Sequence, residues 1–92
     1  MNVETLVKLL DEARRLIDTE TPYSISRAAI ESVDAILASI SAQKTDWKTE
    51  VDLARSRVRL LDGNPNSRID NWQSAYDAIN GLRMRAANLR GT

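Results

Sequence analysis

From Val3 to Leu89 the apolar side chains of this chain recur at intervals of three and four, and nowhere do they alternate one by one. Residues three or four apart share a helix face, whereas residues two apart share a strand face. A chain patterned in this way builds a core by laying helices against each other. Its 92 residues make one domain, residues 1–92.

Four segments follow from the pattern. The first, about 3–19, places Val3, Leu6, Val7, Leu10, Ala13 and Ile17 on one stripe, with Asn2 as its N-cap. Thr21-Pro22 reads as a stop and restart. The second, about 23–43, carries Ile30, Val33, Ile36, Leu37 and Ile40. The third is expected to be capped by Thr45 or Asp46, and Trp47, Val51, Ala54, Val58 and Leu61 follow at four-three-four-three spacing. Gly63 suits a C-terminal cap and Asn64-Pro65 prevents continuation. Ser67 and Asp70 have capping-box spacing, and the fourth segment then places Ile69, Trp72, Tyr76 and Ile79 on a stripe. After Ile79 the apolar positions move sideways to Leu82, Ala86 and Leu89, with Asn80-Gly81 at the change. Glycine costs about 1 kcal/mol relative to alanine inside a helix, so a kink or break is expected near Gly81. The fold class is all-α: a small antiparallel bundle of four helices, the last kinked or broken.

Three features exceed what a single core needs. Leu9 and Leu16 lie about 100° from the centre of the first stripe, and Leu53 and Leu60 form a matching pair on the third helix. The two pairs either pack on each other or stay exposed as a partner surface. Arg57 projects between the main stripe and Leu53 and Leu60, with Glu50 on the same side. Either its stem covers apolar surface while its head reaches water, or it meets a carboxylate on another helix or chain. Opposite the second helix's aliphatic stripe, Ala28, Ser32, Ala35, Ser39 and Ala42 repeat at four-three-four-three spacing without a long charged side chain. They read as a second close-packing face, inside the bundle or against a partner.

The stretch "ARSRVRLLDGNPNSRIDNW" sets three arginines at alternate positions. On a helix Arg55 and Arg59 project together and Arg57 points away, so they do not form one basic patch. Arg55 and Arg59 share a side with Lys48 and Asp52 at pairable spacings, which predicts a solvated, salt-bridged face. Further local pairs are expected at Glu4–Lys8, Asp11–Arg15, Arg14–Asp18 and Arg27–Glu31.

Charge is divided along the chain. Residues 1–46 carry five basic and eight acidic side chains, net −3, and residues 47–92 carry eight and five, net +3. The end of the chain holds Arg83, Arg85 and Arg90 and no acid after Asp77. These arginines oppose a helix dipole favourably and offer contacts to phosphate. With neither His nor Cys, the commonest general base, the thiol nucleophile and the usual transition-metal ligands are missing. No glycine-rich phosphate loop is present, and the segment from Asp62 to Ser67 lacks the distal glutamate of a calcium loop.

The expectation is a non-enzymatic protein–protein interaction module: an accessory subunit, an adaptor or a small inhibitor of a larger assembly, with self-association, such as a homodimer, as a further form. Its expected binding residues are Ala28, Ser32, Ala35, Ser39, Ala42, Leu53, Arg57 and Leu60. The alternative is a nucleic-acid-contacting helical protein using Arg83, Arg85 and Arg90. No catalytic residue, metal, cofactor, small-molecule substrate or membrane association is expected. The absence of a signal-peptide pattern in "MNVETLVKLLDEARR" makes the cytoplasm the expected location.

Overall fold

Asn2 starts the first helix by accepting the backbone N–H of Thr5 at 2.8 Å on its side-chain oxygen. The helix, α1, spans Val3–Asp18 in a computed structural model that describes residues 2–19, 25–62 and 68–91. Ser26 caps α2, Arg27–Gln43, in the same way, accepting the N–H of Ala29. The next helix begins differently from the sequence expectation. Neither Thr45 nor Asp46 caps it; a 3₁₀ turn, Thr45–Trp47, runs directly into α3, Lys48–Arg59. The Trp47 N–H is satisfied by the Lys44 carbonyl at 3.0 Å, and Asp46 meets the Lys44 ammonium instead. The turn supplies the bonds that a side-chain cap would otherwise provide.

The fourth helix, α4, spans Arg68–Gly91 as one unbroken element of 24 residues, so of the kink or break expected near Gly81 the break does not occur. Ile79, Leu82 and Ala86 are buried on both sides of the glycine, and that packing holds the helix through it. The stop at Thr21-Pro22, the cap at Gly63 with Asn64-Pro65, and the Ser67 end of the capping box lie outside the described residues.

The contacts between helices form a ring: α1 beside α2, α2 beside α3, α3 beside α4 and α4 beside α1. Neither diagonal pair, α1 with α3 or α2 with α4, brings Cα atoms within 8 Å of each other among the described residues. Contacts across the seams fix the directions. Along α1 and α4, Glu4 meets Arg90, Asp11 meets Arg83, and the Trp72 indole N–H donates to the Ile17 carbonyl. Along α2 and α3, Ser41 meets Asp52 and Arg27 meets Asp62. Along α3 and α4, Glu50 meets Arg85 and Asn71 donates to the Leu60 carbonyl. In each pair one helix ascends as the other descends, so the bundle is antiparallel, 41 × 21 × 19 Å in extent.

The expected stripes of the first three helices supply most of the core, although Val3 and Ile36 of those stripes are only partly buried at its edge. Leu6, Val7, Leu10, Ala13 and Ile17, then Ile30, Val33, Leu37 and Ile40, then Trp47, Val51, Ala54, Val58 and Leu61 are buried. The fourth stripe is corrected. Ile69 points outward, 53% exposed, and Ala75, Ile79, Leu82 and Ala86 face the core. Trp72 and Tyr76 are displaced to the edge of the core, stacked with ring centres 5.3 Å apart.

The interhelical ion pairs replace most of the expected local ones. Asp11 pairs with Arg83 rather than Arg15, Glu4 with Arg90 rather than Lys8, and Arg27 with Asp62 rather than Glu31. Arg14 donates to the Tyr76 hydroxyl rather than to Asp18. Lys48–Asp52 forms at 2.7 Å as expected. Arg55 and Arg59 do not simply face solvent: both reach Asp34 of α2, at 3.0 and 2.9 Å.

Candidate protein-binding surface

The outer edge of α3 follows from its core stripe. With Val51, Ala54 and Val58 turned inward, Arg55 and Arg59 fall on the side that meets α2. Glu50, Leu53, Arg57 and Leu60 fall on the side that meets α4. On α4, burial of Ile79 and Ala86 turns Ala78, Gly81, Leu82 and Arg85 toward that same seam. A groove of about 360 Å³ results, walled by Leu53, Arg57 and Arg85 and floored by Ala78, Gly81 and Leu82. A Cβ added at Gly81 would meet nothing within 4 Å, so the floor there opens to solvent.

Charge in the groove is uneven. Arg85 is held in place: its guanidinium lies 4.2 Å from the ring centre of the buried Trp47 and 3.2 Å from a Glu50 carboxylate oxygen. Lys44 approaches the same indole at 5.5 Å. Arg57, partly buried between the leucines, has no ion-pair or hydrogen-bond partner among the described residues. Leu53 and Leu60, one turn to either side of it, are each 53% exposed. Of the two sequence readings of Arg57, pairing with a carboxylate on another helix of the same chain is thereby removed.

The leucine pairs do not pack on each other, because α1 and α3 are diagonal in the ring. Leu9 and Leu16 pack against the rim of the core, and Leu53 and Leu60 stay out. The small-residue face of α2 also points outward. Ala28, Ser32, Ala35 and Ala42 are exposed and Ser39 is partly so, which removes packing inside the bundle as an account of it. Ser39 accepts a hydrogen bond from the Gln43 amide, and Ala35 lines a shallow charged hollow with Asp34 and Arg59.

Asp34 is the most enclosed of the paired carboxylates, its side chain 16% exposed. The hydrogen bond from Arg55 is the main cause that holds its carboxyl below the usual range, with the charge of Arg59 adding to it. A hydrogen bond from Lys48 lowers Asp52, and one from Arg15 lowers Glu12.

The C-terminal arginines are not gathered into a patch. Arg83 meets Asp11 on the α1 side, Arg90 lies 3.9 Å from Glu4 on the same side, and Arg85 lies on the α3 side with Glu50. No described helix is long and apolar enough to cross a membrane. The α4 wall of the groove escaped the sequence reading; the shift of the apolar positions to Leu82 and Ala86 was its only trace. Comparisons of the chain with protein-family models, with curated proteins and with solved structures returned no match.

Proposed function

We propose that this chain is a non-enzymatic protein-binding module, an adaptor, accessory subunit or small inhibitor of a larger assembly, which binds through the α3/α4 groove. One observation carries the reading: Leu53, half-exposed, and Arg57, without a partner among the described residues, wall a groove floored by small and apolar side chains, and the half-exposed Leu60 continues the same α3 edge one turn beyond it. Partner side chains entering such a groove bury apolar surface, and Arg57 offers a planar donor for orientation. The non-enzymatic reading is supported by the lack of His and Cys.

The test compares the protein with its Leu53→Asp/Leu60→Asp variant. Both positions are exposed, so the variant should melt close to the parent. Retention of a protein from a native-host extract by the parent and not by the variant supports the reading. Equal retention by both, or retention by neither, counts against it.

A further inference from the structure

The α3/α4 groove matches a feature of the chain's own first helix. On α3 the sequence runs leucine, arginine, leucine as Leu53, Arg57 and Leu60, a step of four and then three. On α1 it runs leucine, glutamate, leucine as Leu9, Glu12 and Leu16, a step of three and then four. Laid antiparallel, the two edges coincide in one register: Leu9 faces Leu60, Glu12 faces Arg57 and Leu16 faces Leu53. Laid parallel, the leucines still meet, but Glu12 falls one residue short of Arg57.

We propose that the groove, together with the α3 edge that runs on from it to the exposed Leu60, takes helix α1 of a second copy of this chain in that antiparallel register; this rests on the groove being the protein-binding surface. The α1 edge is available to receive it. Glu12 is exposed, and Leu9 and Leu16 are only partly buried. The adjoining edge of α2, opposite the one that carries Asp34 and Ser41 to α3, presents Ser32 and Ser39, with no long charged chain to hold a second molecule away. Glu12 accepts from Arg15 of its own helix at 3.0 Å. A carboxylate offers about four acceptor sites, so Arg57 joins that pair rather than displacing it. Closing leucines over an unpaired guanidinium is costly, and Glu12 is the group that removes the cost.

Glu4, Asp11 and Arg14 take the α4 side of α1, so Leu9, Glu12 and Leu16 fall toward α2, and the two edges lie on opposite sides of the ring, one at the α1/α2 seam and the other at the α3/α4 seam. A contact between different faces of identical molecules does not close as a two-fold dimer does, so association is head to tail and runs past the dimer, into a ring or an open chain according to the rotation between copies. One helix edge per contact is a small interface, and the affinity is correspondingly weak.

Sedimentation of the full chain at low salt tests this, from about 10 µM to about 1 mM, the range in which small interfaces assemble. The average mass of the parent should climb past that of a dimer. Arg57→Glu and Glu12→Arg, each checked by its melt, should stay monomeric alone. Mixed in equal amounts they should associate again, because each supplies the charge that the other has lost. A monomeric parent overturns the proposal. So does association that Arg57→Glu abolishes and Glu12→Arg leaves intact, or a mixture that fails to reassemble. If the parent is monomeric yet retains another protein through Leu53 and Leu60, self-docking falls while the groove remains a binding surface. If it does neither, both fall.

Discussion

Arg55 of α3 donates its Nε–H to a carboxylate oxygen of Asp34 on α2 at 3.0 Å, and Arg59 reaches the other oxygen of the same carboxylate at 2.9 Å. One enclosed acid therefore ties two successive turns of the neighbouring helix. Removing it leaves the partly buried Arg55 without its main partner. We expect Asp34→Ala to cost about 1–3 kcal/mol, read as a drop of several degrees in the thermal midpoint. Asp46→Ala, whose carboxylate is largely exposed beside Lys44, should change stability by less than about 0.5 kcal/mol. Equal effects of the two changes would mean that enclosure does not govern these pairs.

The same carboxyl sets an acid limit. Asp34 is held below its ordinary value chiefly by Arg55, so the unfolded chain takes up its proton first as pH falls. The stability it contributes is fully present above the unfolded value near pH 4 and is lost as pH drops through the lower native value. Melts from pH 7 to pH 2 should show the parent losing more stability on acidification than Asp34→Asn. Parallel curves would assign the acid sensitivity to other groups.

Gly81 lies inside α4 with open space where a side chain would stand. Gly81→Ala should therefore stabilise the bundle by about 0.5–1 kcal/mol, from the backbone freedom that alanine removes from the unfolded chain. A fall in the melting temperature would show that the glycine accommodates a backbone conformation that alanine does not.

Ala35→Glu provides the test for α2. The sequence pattern alone left room for a face packed inside the bundle, where a buried charge would be destructive. The face is instead exposed, so the substitution should shift stability by no more than about 0.5 kcal/mol in either direction. A loss of several kcal/mol would contradict that exposure.

The core of the first three helices was legible because burial follows the helical period. Trp47, Val51, Ala54, Val58 and Leu61 can share only one face, and they do. In α4 two stripes competed. The aromatic one is the bulkier, yet Ala75, Ile79, Leu82 and Ala86 face the core, Trp72 and Tyr76 lie at its rim and Ile69 faces solvent. Ion pairing was legible only where it is local, as at Lys48 and Asp52. Arg15 had Asp11 and Glu12 within reach. It takes Glu12, because Arg83 arrives from another helix to hold Asp11. Such partners depend on how each helix is rotated and how far it is slid, neither of which one helix's sequence records. The candidate surface divided in the same way. Leu53, Arg57 and Leu60 stood out as surplus to the core, whereas Gly81 and Arg85 became its opposite wall only once α3 and α4 were paired.

The ring of contacts also divides the molecule into two hairpins, α1 with α2 and α3 with α4, and the seams between them join opposite charges. Glu4, Asp11 and Asp34 of the acidic half hold Arg90, Arg83, Arg55 and Arg59 of the basic half. The chain thus resembles a complex of two complementary pieces that share one backbone. The connection near Lys44 supplies proximity, while recognition between the pieces is written into the side chains. Separated there, the acidic and basic pieces would retain attraction for each other, and their recombination would weaken as salt screens it.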